Sequence, residues 1–227
     1  QGYLRAAKRV GARLILDAGL EEATHDGAFW QVKTRQGPVR ARLLVNAAGA
    51  WGDEVARRAG VAPLGLRPLR RTIVTIPKQK TLPVDRHGPV ILDVEDEFYF
   101  KPEGEGYLAT PADETPSAAC DAQPELEDVA RAVQYFERMT GCKVDRIDAK
   151  WAGLRTFGPD RLPVIGFAHD HPAFFWNVGQ GGFGIQTSPA WSDVVAALVL
   201  GQKLPDYLER AGVKPGTYSP ARLVARP

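Results

Sequence analysis

A chain of 227 residues is long enough for one large domain or two modest ones with a substantial core. With 25% charged and 44% hydrophobic residues, and a formal net charge of +2 spread without blocks, it offers nothing to a nucleic acid or to a polybasic membrane site. The longest apolar stretch, around Val194 to Leu200, is too short to cross a bilayer, and no transmembrane segment or signal peptide is expected. Cys120 and Cys142 lie in polar surroundings without C-x-x-C spacing, which suits a reducing, cytoplasmic setting. The only methionine is Met139, so the sequence reads as the continuation of something longer, with a leading segment removed by processing or truncation.

In chain order, Tyr3 to Val10 has helical spacing and stops at Gly11. Short strands are expected over Arg13 to Leu16, Phe29 to Thr34 and Val39 to Val45, a β-meander ending in a buried strand. After it, Asn46 to Ala50 are too small to fill a core, so either a ligand or a closely packed helix approaches the backbone there. Asp53 is placed to cap a helix running to Gly60. Leu64 to Ile76 is a long strand; alternation puts Leu69, Arg71 and Ile73 on one face and Arg70 with Val74 on the other. One of these arginines is then turned toward the covered side, where it needs an anion, unless the face is solvated.

Lys78 to Gly88 reads as a loop, followed by strands over Val90 to Asp93, Glu97 to Lys101 and Tyr107 to Thr110. Phe98 and Phe100 share one face and Tyr99 takes the other, free either to pack or to turn its hydroxyl toward a carboxylate. Pro124 to Thr140 is a covering helix with Leu126, Val129, Val133, Phe136 and Met139 at helical spacing. Lys143 to Phe157 returns as a strand bearing Trp151, Leu154 and Arg155. A second apolar run, Ala173 to Val178, enters a glycine-rich turn that opens a helix from about Gly182 to Leu200, and a proline-rich tail wraps the surface.

Gly179, Gly181 and Gly184 spell G-x-G-x-x-G, but no further apolar strand follows the helix, so a dinucleotide βαβ unit is not expected here. The amides of Gly181, Gly182, Phe183 and Gly184 at a helix N-terminus still suit a group that gains negative charge, although glycines can also serve only to bring helix and strand together. His169 and His171 form H-x-H but lack a converging third metal ligand, and Ser188 lacks the setting of a nucleophile.

Three separated pieces, VNAAGAW (Val45 to Trp51), WAGLRTFGPDRLPVIG (Trp151 to Gly166) and FFWNVGQGGFGIQTSPA (Phe174 to Ala190), together with RRT (Arg70 to Thr72), FYFKP and the closing YSPARL, resemble the FAD-dependent amine and D-amino-acid oxidoreductases, nearest the D-amino-acid and D-arginine dehydrogenase branch. The resemblance implies a mixed fold, α+β and α/β. Residues 1–62 and 157–227 would form part of a glutathione-reductase-like FAD-binding domain lacking its N-terminal βαβ unit. Residues 63–156 would form a substrate domain with a mostly antiparallel sheet covered by helices. It implies that Arg155 clamps a substrate carboxylate with Arg71 and Tyr99 as helpers. It also implies that Gly181, Gly182, Phe183, Gly184, Ile185, Gln186 and Thr187 contact the flavin while Ala48, Gly49 and Trp51 line it from the other side. The substrate would be a small amino acid, and the electron acceptor a quinone, a carrier or oxygen. A setting at the periphery of the inner membrane is compatible with this. Three readings stay open: oxidation of a D-amino acid, oxidation of glycine, sarcosine or another secondary amine, and a non-catalytic module that needs a partner for FAD.

Overall fold

The structure is a computed structural model and describes residues 2–223. An N-terminal helix α1 (Gly2–Arg9) buries none of its side chains. It leads to a meander, β1 (Leu20–His25), β2 (Trp30–Thr34) and β3 (Gly37–Ala41), that forms an antiparallel three-stranded sheet. Strand β4 (Leu44–Asn46) then passes through a 3₁₀ turn, Gly49–Trp51, into α2 (Gly52–Arg58).

The first expected strand is a correction. Residues 13–16 are irregular, and β1 is LEEATH, in which only Ala23 is buried. An edge strand with one side in water needs no apolar alternation, so no period-2 signal marks it. The expected run from Val39 to Val45 is likewise two strands in two different sheets, broken at Arg42 and Leu43.

The second sheet is the largest. It comprises β5 (Arg67–Ile76), β6 (Ile91–Leu92), β7 (Tyr99–Glu103), β8 (Gly106–Thr110), the short β9 (Thr115–Pro116) and β10 (Ala149–Phe157). Its order is β10-β5-β8-β7-β6, antiparallel throughout, with β9 also paired to β5. Helix α3 (Leu126–Thr140) covers one face, where Val129, Ala132 and Phe136 meet Val74, Ile76, Phe98 and Phe100. The stripe is rotated from the expected one: Leu126 and Met139 are exposed, while Ala132 and even Asp128 are buried. Cys142 also belongs to this core rather than to polar surroundings, and Cys120 is exposed; both are free thiols.

The third sheet, β11 (Val164–Phe167), β12 (Phe174–Val178) and β4, has order β11-β12-β4, and β12 runs parallel to β4 with Trp176 opposite Asn46. Phe174, Trp176 and Val178 pack on the meander and α2, where Trp30 donates its indole N–H to Ala173 O at 2.7 Å. Ile165 and Phe175 pack instead on α4 (Gly184–Leu200) and α5 (Asp206–Arg210). The expected surface tail is thus partly structural, with Leu208 in the core. Asp53 does not cap α2. Lying inside it, its carboxylate accepts the amides of Leu64, Gly65 and Leu66 at 2.9, 3.0 and 2.8 Å and anchors the approach to β5.

Candidate active site

Register decides what meets on the open face of the large sheet. Arg155 lies opposite Leu69 and Gly153 opposite Arg71, so both guanidiniums leave the sheet on the side away from α3. Tyr99 faces the same way, since its neighbours Phe98 and Phe100 are committed to the core. Arg155 Nη2 donates to Tyr99 Oη at 3.2 Å. With that oxygen accepting, the phenolic hydrogen is free to point at a third group.

Arg71 is 8% exposed. Its Nε donates to Asp113 O at 2.7 Å and its Nη2 makes a loose contact of 3.5 Å with Glu114 Oε1. Burial, and after it the charge of Arg155, hold Arg71 below the usual guanidinium range. Among the described residues no carboxylate pairs with Arg155. Two like charges, one of them buried and neither closely neutralised, form a place where a carboxylate is welcome.

Arg70 points to the other face, as alternation requires, and meets Glu125 and Asp128 of α3, the latter at 3.1 Å. Asp113 links the faces: its carboxylate accepts Thr72 N at 2.7 Å and Thr72 Oγ1 at 3.1 Å, while its carbonyl holds Arg71.

The turn between β12 and α4 reaches this face. A cavity of about 800 Å³ is lined by Arg71, Tyr99, Arg155, Gly182, Phe183 and Gln186, among others. A Cβ on Gly182 would lie 2.9 Å from Arg155 Nη1, so a side chain at this position would push the guanidinium from its place. No side chain caps α4. The amides of its first turn have no intrahelical partner and carry the positive end of the helix dipole. A second cavity of about 500 Å³, lined by Ala47, Gln180, Gly184 and Ser188 among others, lies against the same helix start. The first turn of α4 is therefore a wall shared by two cavities.

Ala48, Gly49 and Trp51 follow β4. Because β4 and β12 are parallel, both chains leave the sheet at the same end, the usual ligand end of an open α/β sheet. These three residues do not line the Arg155 cavity, nor do Ile185 and Thr187. Ile185 is 94% exposed, and Thr187 bonds back to Phe183 O at 2.7 Å. Of the residues singled out in the sequence, Arg71, Tyr99, Arg155, Gly182, Phe183 and Gln186 line the guanidinium cavity and Gly184 the adjoining one, whereas Ala48, Gly49, Trp51, Gly181, Ile185 and Thr187 line neither. Sequence reading missed Asp113, Glu114 and Arg161. Glu114 lines the cavity and takes Arg161 at 2.9 Å, and the GPDRLP segment was the only hint of the latter.

The turn bearing Arg161 is held by the tail. Arg222 donates to Asp160 from Nε at 2.7 Å and Nη2 at 3.0 Å, and holds the Asp160 carboxyl below the usual carboxylate range. A lowered folded value means this contribution is present at neutral pH and is lost as pH falls through the folded pKa. Between about pH 5 and pH 3 the wild type should therefore lose more stability than Arg222→Gln, read from urea midpoints. Parallel losses would remove the pair from the acid response.

A profile of the FAD dependent oxidoreductases, DAO, matches residues 1–198. The chain belongs to that family. It is 27% identical over 210 residues to D-amino acid dehydrogenase of Agrobacterium fabrum, covering 88% of this chain and 47% of that protein. It is 30% identical over 201 residues to the mitochondrial dimethylglycine dehydrogenase of Mus musculus, covering 79% and 23%. The fold matches the crystal structure of glycine oxidase from Geobacillus kaustophilus, with TM-score 0.80, 22% identity, and coverage of 97% of this chain and 56% of that one. The chain spans about a fifth to a half of the length of the curated relatives it matches.

The family is FAD-dependent, and the start of α4 has groups of the kind that cofactor calls for. The uncapped amides of α4 offer hydrogen bonds to an electron-rich carbonyl edge, and the bare apolar side chains of Phe183 and Ile185 offer surface to a planar ring. Among the described residues no strand follows α4, so its G-x-G-x-x-G is not a dinucleotide cradle. No described helix is long and apolar enough to cross a membrane.

Proposed function

We propose that residues 63–156 hold an amino-acid substrate, and residues 1–62 and 157–227 the ring of FAD, in an enzyme that oxidises the Cα–N bond of a D-amino acid. The observation that carries this reading is the convergence of Arg155, Arg71 and Tyr99 with the uncapped start of α4 on one cavity. Arg155 receives the α-carboxylate in a two-pronged ion pair, and the Tyr99 hydroxyl donates to the same group. Held so, the substrate presents its Cα–H toward the helix start. A flavin held there would supply the hydride acceptor. Once the substrate ammonium has given a proton to solvent, the nitrogen lone pair forms the C=N bond as the Cα–H bond breaks with its electrons, and the imino acid hydrolyses to a keto acid and ammonia. The amides of Gly184, Ile185 and Gln186 stabilise the charge that accumulates beside them.

The similarity to dimethylglycine dehydrogenases and to glycine oxidase favours a second reading, oxidation of glycine or a secondary amine in the same cavity. The protein reconstituted with FAD should show the visible flavin band and lose it anaerobically with D-amino acids. Bleaching by glycine or sarcosine alone selects the second reading. No flavin band after purification and reconstitution sinks both.

A further inference from the structure

We infer that the cavity selects substrates carrying a second anionic group beyond the α-carboxylate, and that Arg161 receives it. This rests on the carboxylate reading of Arg155 given above. Three guanidiniums, those of Arg71, Arg155 and Arg161, line the cavity against two carboxylates, Glu114 and Asp96. One positive charge is in excess. An amino acid arrives as a zwitterion of no net charge, so one with an apolar side chain leaves the excess in place and one with an acidic side chain cancels it.

A basic side chain is disfavoured by the same geometry. Glu114 is the carboxylate it would seek, but Glu114 Oε1 already takes Arg161 Nη2 at 2.9 Å and Arg71 Nη2 at 3.5 Å. Arg161 has guanidinium nitrogens left over from that single bond; its Cζ lies 4.1 Å from the centre of the Phe157 ring, and 56% of the side chain is open to solvent at the cavity mouth, where an incoming group can reach it.

Arg161 is also held there against local preference. Its φ is 65°, the left-handed region that L side chains avoid, in a turn clamped by Arg222 on Asp160. Of the four non-glycine residues with positive φ among the described residues, three border this one cavity: Asp96 at 57°, Ala112 at 48° and Arg161 at 65°. Backbone strain gathered at one cavity is where a ligand site is expected. Glycine at position 161 would relax the turn, so the arginine is there for its side chain.

The test is calorimetric titration of the protein, with and without added FAD, using L-glutamate and L-2-aminobutyrate as non-reacting zwitterionic probes that differ by one carboxylate. L-Glutamate should bind about tenfold or more tightly than L-2-aminobutyrate. Arg161→Gly, which suits the turn, and Arg161→Gln, which keeps the stem without the charge, should each cut that ratio to about two or less. Equal affinities in the wild type, or an undiminished ratio in both variants, overturn the inference. In that case Arg155→Met decides the parent reading separately, which stands if both acids weaken and falls if neither does. If neither acid binds the wild type, both readings fall.

Discussion

Arg155→Met in the FAD-loaded protein should raise KM for its amino-acid substrate by roughly 30- to 100-fold, with kcat changed far less. The guanidinium lies beside a cavity, is half-buried and is anchored only by the Tyr99 hydroxyl at 3.2 Å, so its charge awaits an external partner. Losing one partner of a hydrogen-bonded charge pair costs roughly 2 to 5 kcal/mol when buried, and partial exposure argues for the lower end. Arg71 softens the loss, because its Nη2 is only loosely engaged by Glu114. Arg155→Lys should recover part of the affinity: it restores the charge but not the two-pronged geometry. Stability should move the other way. The Arg155 charge works against Arg71, so removing it should leave the melting temperature unchanged or slightly raised. A fall of several degrees together with an unchanged KM would make Arg155 structural.

That Arg155, Arg71 and Tyr99 act together came from the family resemblance; strand alternation added only that Arg71 and Arg70 leave on opposite sides and that Tyr99 opposes Phe98 and Phe100. Phe98 and Phe100, which flank Tyr99, lie in the core, whereas β5 is buried on both faces from Arg71 to Val74, so the side taken by Arg71 follows from the strand period and not from a pattern of burial. The helix start at Gly184 could be read within two residues because glycine punctuates it. What escaped was non-local or charged. Strand β1 hides its one buried residue among Glu21, Glu22 and His25. Asp53 spends its oxygens on amides eleven to thirteen residues away, which no local capping rule anticipates. Asp113 and Glu114 sit in an irregular segment after β8, where charge ordinarily means solvent, and only the tertiary fold brings them under Arg70 and Arg71. Cys142 follows a helix-ending glycine in a polar stretch, yet the sheet closes over it.

Asp113→Ala should lower global stability by about 3 kcal/mol, a drop of roughly 6 to 12 °C in melting temperature for a chain of this size. The residue is 6% exposed, and its carboxylate accepts both the amide and the hydroxyl of Thr72. Its Oδ2 also lies 4.0 Å from Arg70 Nε, a buried nitrogen with no hydrogen-bond partner. Alanine would leave the Thr72 donors buried without an acceptor and Arg70 leaning on Asp128 and Glu125 alone. Each buried donor left unmade costs about 1 to 3 kcal/mol, while the two remaining acids limit the charge penalty. Asp113→Asn keeps one carbonyl acceptor for the Thr72 amide and should cost only about 1 to 2 kcal/mol. The same substitutions should reach the cavity, because the Asp113 carbonyl steadies Arg71 at 2.7 Å. Substrate KM should therefore rise in the alanine variant by about tenfold or less, and by less again in asparagine. Denaturant unfolding of the two variants beside wild type separates the contributions. Equal losses for alanine and asparagine would place the effect in the charge facing Arg70, and a loss under about 1 kcal/mol for alanine would show that water replaces the carboxylate without difficulty.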